Sequence, residues 1–206
     1  QNYSKSKKIL LWFDEIITGM RVKKLSIFRK YNLKPDIVTF AKCFGGGLPI
    51  GITCYNTKVK KKIKTLKKNI FFGGTFSGNP MSTKLGLETF KYVNKNQKKI
   101  NNHINNLAAI LEKNINTYCV NNQIEFRLQR YESLLRPMFT SQTITNKFDR
   151  NRYDFNFIKT LNFKNYLINK KIFLSNNGCF FISYCHSKKN IVLISNIIKA
   201  YLKINK

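Results

Sequence analysis

Three groups of residues have the types and spacing to do chemistry. Lys42 closes an apolar run, Ile37 to Ala41, and precedes Gly45-Gly46-Gly47. An amine at the end of a buried strand, approached by bare glycine backbone, sits in a crevice. Desolvation there disfavours the ammonium and lowers its pKa, which is what a lysine needs to attack a carbonyl and form a Schiff base. Asp14 closes a second apolar run, Lys8 to Phe13, and is followed by Glu15. The third group, Gly73-Gly74-Thr75 and then Ser77-Gly78-Asn79-Pro80, offers hydroxyls and open N–H groups just before a helix start, a natural place for a phosphate. Each has a plain structural alternative: a snorkelling lysine, a capping carboxylate, an ordinary loop-to-helix turn. The Asp-Glu ending also imitates the magnesium-binding strand of P-loop ATPases. The chain has no G-x-x-x-x-G-K-[ST], however, and Lys42 precedes its glycines where a P-loop lysine would follow them.

The elements that position these groups follow from pattern and punctuation. Lys8–Phe13 and Ile37–Ala41 are strand-length apolar runs with the look of parallel strands buried on both faces, each delivering one charge at its C-terminal end. In open α/β sheets that edge is where ligands bind. Ile50 to Tyr55 reads as a third strand, and Asn56 to Lys68 as a lysine-rich helix with Val59, Ile63 and Leu66 on its apolar side. Asn79 is an N-cap and Pro80 a first-turn residue for a helix that runs, with a break near Asn94, to about Asn116. Beyond Cys119 the pattern predicts strands at 124–130 and 133–140, a helix near 153–170, short strands at 172–174 and 180–184, and a final helix from Ser187. This second part reads as a small α+β lobe.

Composition bounds the rest. Hydrophobic residues make up 43% of the 206, and aromatics 14%, too much apolar surface for a disordered polymer. No apolar run approaches the roughly 20 residues of a membrane helix, so no membrane partner is expected. The 38 Lys and Arg against 9 Asp and Glu give a net charge of +29. Such a balance raises nucleic acid as a partner, but the basic residues are overwhelmingly Lys, scattered among Asn and Ile. Specific phosphate and base readers favour the bidentate Arg fork. No specific nucleic acid is therefore expected. The five cysteines (43, 54, 119, 179, 185) show no CxxC and no metal-like spacing, and the two histidines (103, 186) are isolated, so no metal site and a reduced, cytoplasmic setting are expected.

A carboxylate at one strand end, a lysine at another and a phosphate-ready turn together form the set that pyridoxal 5'-phosphate requires. Here the sequence resembles the class III (fold type I) pyridoxal-phosphate aminotransferases. The residues that carry the likeness are Phe13-Asp14-Glu15-Ile16-Ile17-Thr18-Gly19-Met20-Arg21, Lys34-Pro35-Asp36, Ala41-Lys42-Cys43-Phe44-Gly45-Gly46-Gly47-Leu48-Pro49-Ile50-Gly51 and Gly74-Thr75-Phe76-Ser77-Gly78-Asn79-Pro80. Thr-Gly-Met-Arg, without an extra Gly before the Arg, tilts the likeness toward the glutamate-1-semialdehyde 2,1-aminomutase branch, as does Ile182-Ser183-Tyr184-Cys185-His186-Ser187 near the end. Met20, where that branch usually has Phe, and Phe44 depart from the pattern, and residues 141–165 match poorly.

The resemblance implies an α/β fold: the C-terminal part of a fold type I large domain at 1–118, then a small α+β domain at 119–206. It implies that Lys42 holds pyridoxal 5'-phosphate and shuttles protons, that Asp14 pairs with the pyridine nitrogen and keeps it protonated, and that Ile16, on the strand face of Asp14, packs on the ring. Thr75, with Gly74, would bind the cofactor phosphate of a neighbouring subunit, which implies a homodimer. The activity implied is a 1,2-shift of the amino group in glutamate-1-semialdehyde to give 5-aminolevulinate. The alternatives are transamination between another amino donor and an aldehyde or keto acceptor, and a catalytically inactive basic binding fragment. The family's upstream phosphate loop and ring-stacking aromatic have no counterpart in these residues, so the chain is expected to be the C-terminal half of such an enzyme and incomplete alone.

Overall fold

The β-branched run Ile37-Val38-Thr39 opens the central strand of a small sheet, and everything near the candidate site hangs on it. The computed structural model describes residues 1–66, 70–71, 73–154, 157–175 and 178–205. They divide into two units, Gln1–Asn101 and Asn102–Lys206. In the first, a short helix α1 (Asn2–Ser6) precedes β1 (Trp12–Asp14), a one-turn helix α2 (Ile27–Lys30), β2 (Ile37–Ala41), a 3₁₀ turn at Lys42–Gly45, β3 (Gly51–Tyr55), α3 (Thr57–Thr65) and α4 (Pro80–Lys95). The sheet order is β1-β2-β3. β1 runs parallel to β2 with Asp14 beside Thr39, and β3 runs antiparallel with Gly51 beside Ala41.

Local chemistry sets most boundaries. The Asn56 side chain accepts from the Val59 amide to start α3, and Asn79 accepts from Ser82 at 3.1 Å to start α4, with Pro80 in its first turn. The expected long helix is interrupted at Asn96 and resumes as α5 (Gln97–Asn121). In the expected helix 56–68, Lys67 and Lys68 lie outside the described residues, and Leu66 is exposed rather than packed.

β1 is the main departure in this unit. Only Trp12–Asp14 is strand, and Ile9, Leu10 and Trp12 are exposed, so the expected strand buried on both faces is here an edge strand with one neighbour. Burial on both faces needs a layer on each side of the sheet, which the described residues of this unit do not supply.

The second unit holds β4 (Arg127–Tyr131), β5 (Leu134–Met138) and β6 (Phe180–Phe181) in one antiparallel sheet, with α6 (Lys147–Tyr153), α7 (Phe157–Asn169) and α8 (Lys188–Ile204). Its core is aromatic: the Phe163 ring lies 5.5 Å from Phe126 and 5.2 Å from Tyr201, amid fully buried Leu111, Ile115, Leu128, Leu135 and Ile198. β4 starts later than expected because 122–124 still closes α5, with Ile124 N–H donating to the Cys119 carbonyl after a left-handed Gln123. The expected strand at 172–174 is absent for the same reason: Ile172 N–H caps α7 on the Leu167 carbonyl. The expected helix 153–170 is α7, starting at Phe157 with residues 155–156 outside the described set, while α6, capped at its end by Asp154, is a helix that the pattern did not predict. Ser187 starts α8 with a reciprocal capping box to Asn190.

Candidate active site

Parallel pairing puts the C-terminal ends of β1 and β2 at one edge of the sheet, so Asp14 and Lys42 are delivered there by neighbouring strands. Lys42 directly follows β2 and has a left-handed backbone, φ 53°, next to a fully extended Ala41. That conformation costs a non-glycine residue about 1 kcal/mol, and it persists because the turn around it is pinned. Phe44, buried, packs 4.7 Å from the Phe40 ring and stacks on Phe90 of α4 at 6.1 Å. Gly46 is also left-handed at φ 61°, and a Cβ there would collide with Thr89 and Leu85. A Cβ on Gly86 would lie 2.6 Å from the Phe44 carbonyl oxygen, so α4 seats against the lysine turn only through a glycine.

Lys42 is exposed. The desolvated crevice expected around Lys42 is therefore not provided by the described residues of this unit, whose packing lies under the turn rather than over the amine.

Asp14 is exposed too, and its Oδ1 accepts the Ile16 amide at 3.0 Å, which orients the carboxylate. Thr39, opposite Asp14 on β2, accepts the Trp12 indole Nε1–H on its Oγ1 at 3.3 Å. Ile16 corrects the expectation: β1 ends at Asp14, and Ile16 lies in the turn 16–20, so strand alternation does not put it on the face of Asp14. It is the amide contact that holds Ile16 beside the carboxylate. Gly74 and Thr75 are exposed in the turn before α4, where Ser77 N–H donates to the Gly74 carbonyl at 2.9 Å. Among the described residues no hydrogen bond or ring contact links Gly74 or Thr75 to Asp14 or Lys42, so the structure joins two of the five expected residues at one edge and fixes Ile16 next to them.

Two further acids are tied into this sheet, Glu15 at this edge and Asp36 at the opposite one, where β1 and β2 start. Glu15 is completely buried, its Oε1 accepting Phe28 N–H at 3.1 Å and its Oε2 accepting from the Thr18 hydroxyl. Asp36 accepts the Leu11 amide at 2.9 Å and the Asn56 side-chain amide at 2.9 Å, tying the starts of β1, β2 and α3 together. The Leu11 N–H first, then Asn56 and the charge of Lys58, hold its carboxyl below the usual aspartate range. Period-2 alternation past Asp14 was the available signal for Glu15, since adjacent strand residues face opposite ways. Asp36 stands in the Lys34-Pro35-Asp36 motif, but no local signal pointed to its partners, which lie 25 and 20 residues away.

A family profile described as Aminotransferase class-III matches residues 1–125. The chain belongs to that family. A glutamate-1-semialdehyde 2,1-aminomutase of Caldicellulosiruptor bescii is 31% identical over 184 residues, 88% of this chain and 42% of that protein. One from Methanosphaera stadtmanae is 32% identical over 208 residues, 94% of this chain and 45% of that protein. Among solved structures, a glutamate-1-semialdehyde-aminomutase from Pseudomonas aeruginosa PAO1 in complex with PMP superposes with a TM-score of 0.85 at 18% identity, covering 98% of this chain and 46% of that one. At that identity the likeness shows the fold, which is the fold type I architecture expected from the sequence. The chain spans less than half the length of the curated relatives it matches. Among the described residues no helix is long and apolar enough to cross a membrane, and no group of three or more His, Cys, Asp or Glu is placed to hold a metal.

Proposed function

We propose that these residues are the cofactor-anchoring part of a pyridoxal 5'-phosphate enzyme of class III, with 1–118 belonging to its large domain and 119–206 forming its small one. The observation that carries the reading is the delivery of Lys42 and Asp14 to one sheet edge by adjacent parallel strands. The donor set suits that cofactor: a primary amine on a pinned turn, a carboxylate with one oxygen engaged by Ile16 and the other open, and a hydroxyl with glycine backbone at Gly74-Thr75. When bound, the cofactor supplies an electron sink for the charge left when a substrate C–H bond loses its proton. Lys42 Nζ anchors it and, once released, accepts and returns substrate protons. Asp14 holds a proton on the pyridine nitrogen by placing a negative charge against it. Ile16 packs on the ring. Thr75 and Gly74 serve the phosphate of a neighbouring subunit in a homodimer in the cytoplasm.

The names of the relatives support a finer reading, the 1,2-amino shift of glutamate-1-semialdehyde to 5-aminolevulinate, with transamination of another amino donor as the second outcome of the assay. The experiment is borohydride reduction in the presence of the cofactor, followed by peptide mapping, in protein carrying the rest of the family fold. The pyridoxyl group is expected on Lys42 and absent in Lys42→Ala; recovery on another lysine overturns the assignment. Asp14→Asn is expected to keep the attachment while proton abstraction slows by about two orders of magnitude or more. The 206-residue chain by itself is expected to hold the cofactor weakly and to show no turnover.

A further inference from the structure

The buried acid beside Asp14 is unused by the chemistry above, yet both its carboxylate oxygens are hydrogen-bonded. Glu15 is 0% exposed. Its backbone N–H donates to the Thr39 carbonyl at 2.9 Å, continuing the β1–β2 ladder one residue beyond Asp14, and its carbonyl accepts Gly19 N–H at 2.9 Å. Its carboxylate reaches Phe28 N–H at the start of α2 and the Thr18 hydroxyl in the turn. Ser26, the N-cap residue of α2, makes no cap bond, and its Oγ is buried without a partner. Glu15 therefore caps α2 from 13 residues upstream. Four contacts on one residue lock the segment that begins with Ile16, whose amide is the group that orients Asp14.

We propose that Glu15 is a positioning residue for Asp14: by tying Thr18 and α2 to the end of β1 it fixes the Ile16 amide, and through that amide the aim of the Asp14 carboxylate. That Asp14 serves a cofactor rests on the function proposed above; that Glu15 aims it does not. The arrangement is one of hydrogen bonds, so it makes a distinction between variants. In Glu15→Gln the amide oxygen accepts from Phe28 while the NH₂ group donates to the Thr18 oxygen, whose hydroxyl turns round, and both contacts survive. In Glu15→Ala neither does.

The test is amide hydrogen exchange by NMR on the 206-residue chain, with Thr18→Val as a milder variant. In Glu15→Ala, exchange at Phe28 and at Ile16 is expected to rise about tenfold or more, the effect of losing one hydrogen bond to a charged group, with Val38 and Cys54 in the β2–β3 ladder unchanged. Glu15→Gln is expected to stay within about threefold of the parent at both amides. If Glu15→Ala does not fold, Thr18→Val must still raise exchange at Ile16. Faster exchange at Phe28 with Ile16 unchanged would show that Glu15 holds α2 alone, and a Glu15→Gln chain as fast as Glu15→Ala would show that charge, not hydrogen bonding, matters; either overturns the proposal. In cofactor-loaded protein completed with the rest of the fold, Glu15→Ala is expected to lower kcat about 10- to 100-fold with KM little changed, as misplacement of Asp14 requires. A parent protein that takes up no cofactor would defeat the proposed function while the exchange data still decided the role of Glu15.

Discussion

At the scale of single residues, environment rather than type decides what each side chain can do. Asp14 and Glu15 are neighbours of the same charge, yet one is exposed and the other sealed, because successive strand residues face opposite sides. The cysteines divide in the same way. Burial pushes the Cys119 thiol up to about 11 and raises that of Cys179, whereas Cys54 and Cys185 are exposed. The thiolate is the nucleophile, and burial keeps that of Cys119 scarce at pH 8. Iodoacetamide is accordingly expected to label Cys54 and Cys185 in the native chain and to reach Cys119 only on denaturation. Peptide mapping after timed labelling checks this, and early modification of Cys119 would contradict its buried placement.

At the scale of elements, α4 and the Lys42 turn depend on a missing side chain. Gly86→Ala puts a methyl group 2.6 Å from the Phe44 carbonyl, with backbone on one side and a helix on the other. The pair must separate, at an expected loss of about 1–3 kcal/mol in denaturant unfolding. Full stability in Gly86→Ala would show that the contact is slack. In the second unit, the cap of α6 carries a pH dependence. Asp154 is buried and accepts Phe139 N–H at 2.6 Å, with Arg136 at 3.5 Å. Desolvation outweighs both and raises its pKa. The folded chain thus binds this proton more tightly than the unfolded chain, and stability falls as pH rises from about 3.8, the unfolded value, through the raised folded value. Asp154→Asn, which has no proton to lose, is expected to flatten the thermal-unfolding profile in that window; an unchanged slope would assign the dependence elsewhere.

At the scale of the whole molecule, 38 basic against 9 acidic side chains dominate long-range behaviour. The lysines of α3 at positions 58, 60, 61, 62 and 64 are all exposed, as expected of a solvated face. A surface of this sort attracts any polyanion through counterion release, without reading sequence. Retention on unrelated DNA duplexes is expected to be equal, and to fall at least about tenfold between roughly 50 and 200 mM salt. Preference for one duplex that persists at the higher salt would point to a built interface. The membership of residues 1–125 in the class III family is a property at this scale too, since the match runs over 125 residues rather than over any one motif.

What the sequence determined by itself was local. The bounds of β2, the helix starts at Asn56, Asn79 and Ser187, and the placing of Asp14 and Lys42 at strand ends follow from caps, branched runs and glycines, whose preferences act within a few residues. The tertiary structure decided what depends on residues far apart in the chain. Parallel pairing of β1 with β2, 25 residues on, brings Asp14 and Lys42 to a common edge. The left-handed backbone at Lys42 stands only because Phe40, Phe90 and Gly86 hold the turn. β1 is shorter than its apolar run and 172–174 closes a helix instead of forming a strand, because hydrophobicity marks a residue for burial without saying whether a strand or a helix cap will use its backbone. Buried acids such as Glu15 gain their roles from donors supplied by other turns, and no periodicity in the chain announces those partners in advance.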